Sequence, residues 1–186
     1  GKSQGDMFIT CATIAQSYLL LITSSMIGIS GGTQAILSYN YGARRADRVK
    51  DAERNILGVM LIFTTIMFLL SRLVPRYFVL LFTSDPQYIS FSVWAIHTYT
   101  LMIIPLSFQY VFVDGLTALD RPKTGLALSV TRKSLFVLSA AILPVFFDAK
   151  AAFFAEPVAD GVCSVLSTVV FLLLINRHLQ KRCQTV

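Results

Sequence analysis

Apolar residues run together in five long blocks along this chain, separated by short polar, charged or proline-bearing segments. The blocks run from Met7 to Ile29, Ile56 to Val74, Phe91 to Val113, Gly125 to Phe147 and Ala151 to Ile175. Each is long enough to cross a hydrocarbon core of about 30 Å at about 1.5 Å per helical residue. Strand-like alternation is absent. Runs such as Tyr18-Leu19-Leu20-Leu21-Ile22 and Phe171-Leu172-Leu173-Leu174-Ile175 would put apolar groups on both faces of a strand. A lone strand in lipid leaves its backbone groups unpaired, so the pattern predicts five helices.

Composition sharpens this. The 186 residues are 55% hydrophobic and only 14% charged, with a mean hydropathy of +0.67. A soluble domain carries about 25% charged residues. Too little polar surface remains to cover a water-soluble globule, and the apolar content excludes disorder. The fold class is an all-α integral membrane protein, a five-helix transmembrane bundle over residues 1–186, with the lipid bilayer as its first partner.

The net charge of +6 points to topology rather than to nucleic acid. Arg44, Arg45, Arg48, Lys50 and Arg54 lie between blocks one and two. Arg121, Lys123, Arg132 and Lys133 lie between three and four or just inside four, and Arg177, Lys181 and Arg182 follow block five. Only Lys2, Arg72, Arg76 and Lys150 fall on the other side. The basic side is expected to be cytoplasmic, with the N-terminus outside and a plasma-membrane location. An outside N-terminus without a signal peptide, on an odd number of spans, suggests that helices precede Gly1.

Residues 39–55 read as a cytoplasmic loop, with a small amphipathic helix from Ala43 to Arg54. Tyr77 to Phe82 reads as an extension of the second helix or an interfacial segment, and Asp85-Pro86 as a turn or a helix start. Cys11, Cys163 and Cys183 show neither CxxC spacing nor nearby histidines, so no metal or disulfide framework is expected.

Polar residues inside spans are costly and mark candidate sites. Gln34 lies in Gly28-Ile29-Ser30-Gly31-Gly32-Thr33-Gln34, where three glycines are expected to loosen a helix end. Span three holds His97, Gln109 and Asp114, and Pro105 is expected to kink it. Arg132 and Lys133 are adjacent in span four, hence about 100° apart around the helix. Lys133 can snorkel to the surface, so Arg132 is expected to turn inward to a carboxylate. Span five supplies Glu156 and Asp160, four apart on one face, with Pro157 between them. Like charges this close resist joint ionisation in a low-dielectric site, as a proton-coupled or cation-binding site requires. Alternatively, Glu156 is solvated at the outer interface.

Three stretches resemble one family. Gly31-Gly32-Thr33-Gln34-Ala35-Ile36-Leu37-Ser38-Tyr39-Asn40-Tyr41-Gly42-Ala43 resembles the "GxxQPxxSYNYGA" signature of MATE (multidrug and toxic compound extrusion) transporters. Leu116 to Lys123 resembles their "FQALGRPK" turn. Ser129 to Lys133, Leu143-Pro144 and Ala155 to Asp160 resemble "SLLRQ", "LP" and "AxPIAD". Ala35 stands where the family has proline, and Asp120 where it has the turn glycine. The resemblance implies a partial C-terminal lobe, helices eight to twelve of a twelve-helix transporter. The partners it lacks are the N-terminal lobe and the seventh helix. The whole would export small organic, often cationic, substrates by alternating access, with H+ or Na+ as coupling ion and no other cofactor. Structural roles carry over to Gln34, Tyr39, Asn40 and Gly42, and a site role to Arg132 and Asp160. A family acid on the tenth helix falls near Phe108 by spacing, so Asp114 remains a candidate from its own chemistry.

Three alternatives differ in kind. One is a lipid-linked saccharide flippase of the same superfamily, and another is a truncated piece without transport activity. A membrane phosphotransferase is the third. Asp114-Gly115-Leu116-Thr117-Ala118 opens like its "DGxxAR" signature, but Leu119, Arg132 and Phe136 stand where Arg and two acids are required. One carboxylate makes no metal site.

Overall fold

The computed structural model describes the backbone of residues 2–183 and the side chains of residues 5–175. The side chains of Lys2, Arg177, Lys181, Arg182 and Cys183 lie outside the described residues. The described chain is helical, without strands: α1 (Lys2–Gly42), α2 (Ala46–Leu73), α3 (Pro75–Val79), α4 (Pro86–Tyr99), α5 (Ile103–Ala118), α6 (Pro122–Phe146), a 3-10 turn (Ala149–Phe154) and α7 (Ala155–Cys183). Helices α1, α2 and α6, and α7 with its leading turn, are each long and apolar enough to span a membrane. Helices α4 and α5 meet the same requirement only when taken together, bent by 47° at their break, which makes five spans if the pair counts as one.

The bent span has a local cause. Pro105 has no N–H to offer the Leu101 carbonyl one turn earlier, and its ring crowds that carbonyl. The helix therefore breaks at 100–102 and restarts, with Pro105 third in α5. Thr100, at the break, turns its hydroxyl to the Ile96 carbonyl at 2.8 Å and to Ser71 Oγ at 3.0 Å. The expected kink is thus a break one turn upstream. Pro157 is likewise third in α7, where the missing N–H costs nothing, so it starts that helix rather than bending it.

Other expectations need correction. Gly28, Gly31 and Gly32 loosen nothing, because α1 continues unbroken to Gly42. Residues 39–55 are not a loop: only 43–45 are non-helical, and the charged stretch forms the first turns of α2 rather than a helix of its own. Tyr77 lies in the short separate helix α3, so of the two readings of this segment only the extension of α2 fails. Asp85 caps α4 as expected, accepting from the Gln87 N–H at 2.8 Å, with Pro86 in first position.

Two helix ends carry the same motif. The Arg45 N–H reaches the Asn40 carbonyl at 3.0 Å and the Arg44 N–H reaches Tyr41 at 3.2 Å, with Arg44 at φ 58°. The Arg121 N–H reaches Leu116 at 2.9 Å and the Asp120 N–H reaches Thr117 at 3.3 Å, with Asp120 at φ 62°. Both are Schellman ends, whose left-handed position normally holds glycine. Asp120 occupies the place where the resembling turn has one.

Helix α5 is central, packing on α1, α2, α6 and α7. Small and hydroxyl side chains let the helices approach closely. Thr64 and Ser107 hydroxyls meet at 2.8 Å between α2 and α5. Ser30 and Ser38 of α1 donate to the Tyr110 and Ala118 carbonyls of α5 at 3.3 and 3.4 Å. The core holds Ile22, Met26, Met60, Ile96 and Leu106, all fully buried. Leu20, Leu21, Ile62, Ile66, Val137, Leu138, Leu172 and Leu173 are exposed. So much exposed apolar surface fits lipid as the solvent.

Candidate functional site

The site is built on α5, α6 and α7. Arg132 lies ten residues into α6, about 15 Å along its axis from Pro122. At that depth a guanidinium facing lipid would lack partners, and Arg132 turns inward, 9% exposed. Its Nη1 donates to Asp160 Oδ1 of α7 at 2.5 Å, and Asp160 is completely buried. Nη2 reaches Tyr110 Oη of α5 at 3.5 Å, and the guanidinium carbon stands 5.7 Å from that ring's centre. Lys133 stays exposed, its ammonium 5.9 Å from the Phe136 ring centre.

The pair is incompletely satisfied. Asp160 Oδ2 is buried without a hydrogen-bond partner. Nearby on α5, Gln109 Oε1 is in the same state. Unpaired buried acceptors are costly in a low-dielectric interior. A bound cation or proton is one way to satisfy them.

A recess of about 220 Å³ opens beside the pair, lined by Gln109, Tyr110, Asp114, Ser129, Arg132 and Lys133 with apolar Ile27 and Val113. Of the residues singled out in the sequence, Gln109, Asp114 and Arg132 therefore share one cavity, with Asp160 bonded behind Arg132. Glu156 sits one turn from Asp160 on α7 and is 3% exposed, so it is not solvated at an interface. Gln34 lies outside the recess, half-buried on α1. Gly31, Gly32, Tyr39 and Gly42 are exposed, while Asn40 bonds the Ile36 carbonyl of its own helix at 2.8 Å. His97 Nε2 is buried and unpartnered. Among the described residues no three acidic, cysteine or histidine side chains are grouped to hold a metal, and Cys11 and Cys163 are free thiols.

Two residues escape the sequence reading. Tyr110 shows no signal beyond its place next to Gln109. Glu53, 5% exposed, sits in sequence among the charges of the connector. The buried stripe Val49, Glu53, Ile56, Met60, Thr64 keeps three- and four-residue spacing, and that spacing places Glu53 on the inner face.

The MatE family model matches residues 1–143. The chain belongs to the MatE family of membrane transporters. A curated relative, the FAD transporter of Shewanella oneidensis, is 26% identical over 136 residues, which are 73% of this chain and 29% of that protein. Among solved structures, a MATE protein in the bent conformation superposes with a TM-score of 0.88 at 14% identity, over 97% of this chain and 40% of that one. An inward-facing MATE multidrug resistance transporter of the MOP superfamily gives 0.83 at 15% identity, covering 92% and 40%. The MATE multidrug transporter DinF-BH gives 0.77 at 28% identity, covering 95% and 39%. The chain thus spans about two-fifths of these structures and less than a third of the curated relative.

Proposed function

We propose that this chain forms one lobe of a plasma-membrane exporter that exchanges H+ or Na+ for drugs and organic cations, its arginine-rich end in the cytoplasm. The lobe works with a second lobe and a further helix by alternating access around a shared passage. The observation that carries the reading is the buried Asp160 carboxylate, bonded to Arg132 through one oxygen and unpartnered at the other.

In this mechanism the coupling ion enters from outside and takes the free oxygen of Asp160, with Glu156 one turn away as the alternative acceptor. Neutralising that carboxylate weakens its hold on Arg132. The guanidinium then turns to Tyr110 and the recess, and substrate leaves outward. The break at residues 100–102 supplies the hinge. The test is efflux of a cationic dye from proteoliposomes holding the complete two-lobe transporter under an imposed H+ or Na+ gradient. Asn and Gln substitution at Asp160 and Glu156 should abolish coupled efflux, and unchanged efflux removes both acids from the mechanism.

A second reading, export of an anionic nucleotide-like or lipid-linked substrate, has its own observation: the cations Arg132 and Lys133 line the recess. The same vesicles loaded with FAD discriminate. Gradient-dependent release of FAD and not of the dye favours this reading.

A further inference from the structure

The buried acid that the mechanism above leaves unused is Glu53. It projects from α2 one to two turns inside the arginine-rich end of the lobe and is 5% exposed. Its Oε1 is buried with no hydrogen-bond partner. A side-chain β-carbon built at Gly115 of α5 would collide with this carboxyl. The absence of a side chain at Gly115 is therefore what makes room for it. Gly115 follows Asp114, so a second acid stands beside the same α2–α5 seam.

Among the described residues no basic side chain forms an ion pair with Glu53. On α5 the titratable groups at this end are Asp114 and Tyr110, and on α1 they are Tyr39 and Tyr41. On α2 itself Asp47, Arg48, Lys50, Asp51 and Arg54 are all exposed, away from the buried stripe, and Arg44 and Arg45 stand in the exposed connector. A buried carboxylate with an oxygen lacking a donor, facing a second acid, is far costlier than the neutral acid in the same seat. Glutamate at this register is not explained by packing, since the neighbouring stripe positions Val49, Ile56 and Met60 are apolar.

We propose that Glu53 is a proton-binding site at the arginine-rich end of the lobe, holding its proton while the α2–α5 seam is closed and releasing it to water beside Asp114 when the seam opens. In the release step the carboxyl O–H bond breaks and its electron pair stays on Glu53. The proton passes to a water molecule at the half-buried Asp114 end. Asp160 and Glu53 then lie toward different ends of one lobe, the first loading from one side of the membrane and the second discharging to the other. That role rests on the exporter reading, whereas the protonation of Glu53 does not.

The experiment therefore reads protonation directly. Infrared spectra of the complete transporter at neutral pH are compared with those of Glu53→Gln and Asp160→Asn. One protonated-carboxyl band should be lost in Glu53→Gln and remain in Asp160→Asn. An unchanged band in Glu53→Gln overturns the proposal, whereas a band that Glu53→Gln removes in a transporter that moves no dye overturns only the exporter reading. A second measurement needs no variant. A lipophilic carbodiimide reacts with carboxyls that are protonated in apolar surroundings, and peptide mapping should find Glu53 modified several-fold more than Asp47 and Asp51. Equal modification of the three overturns the proposal.

Discussion

Arg132 and Asp160 meet across the α6–α7 interface, 28 residues apart in sequence, with one carboxylate oxygen bonded and the other without a partner. A buried ion pair is not in itself a stabilising device, because desolvating both charges offsets most of their attraction. What it does impose is a penalty on losing one member. Asp160→Ala is expected to lower the stability of the lobe by about 3–5 kcal/mol, since it strands the Arg132 charge. The double variant Arg132→Met with Asp160→Leu is expected to regain most of that loss. Thermal unfolding of the two proteins in detergent micelles checks the order. A double variant less stable than the single one would show that the pair is a net source of stability.

Gly125 sets how closely α6 lies on α5. A β-carbon there would stand 2.9 Å from Thr117 Oγ1 and 3.1 Å from the Val113 carbonyl oxygen. The backbone oxygen cannot move aside without shifting the helix. Gly125→Val should therefore cost about 1–3 kcal/mol by overpacking. Gly58 is the control, since a β-carbon there meets nothing within 4 Å. Gly58→Ala should raise stability by about 0.5–1 kcal/mol through helix propensity alone. Thermal midpoints moving in opposite directions are the expected result.

Asp120 stands at φ 62° in the Schellman end of α5. The left-handed conformation strains a residue with a β-carbon, though aspartate tolerates it better than most. Asp120→Gly is expected to stabilise the α5–α6 turn by about 0.5–1 kcal/mol. A raised thermal midpoint with unchanged transport would confirm that the cost is local.

Much of this architecture is legible without any coordinates. Long apolar blocks report spans because a bilayer leaves the backbone few other solutions. Arg132 is expected to find a carboxylate because a charge at that depth has no inexpensive alternative, and Asp160 is that carboxylate. The failures share a physical origin. Gly28, Gly31 and Gly32 have low intrinsic helix propensity, yet α1 runs through them; a β-carbon at any of the three would meet nothing within 4 Å, so it is the lack of water competing for the backbone, not packing, that overrides the preference. Glu53 is hidden by its neighbours: Asp47, Arg48, Lys50, Asp51 and Arg54 make the stretch read as solvated, and only the three- and four-residue spacing of the buried stripe separates it from them. Pro105 announces a discontinuity, but its effect falls on the carbonyl one turn earlier, so the break lies at 100–102.

The most direct test of Asp160 as the coupling position is a count of ions exchanged when substrate binds. The purified two-lobe transporter, in weakly buffered detergent solution, is titrated with a cationic dye while released H+ or Na+ is measured. About one ion per bound dye is expected from the unsubstituted protein, and none from Asp160→Asn with dye binding retained. Equal release from both proteins would contradict Asp160 as the group that trades the coupling ion for substrate.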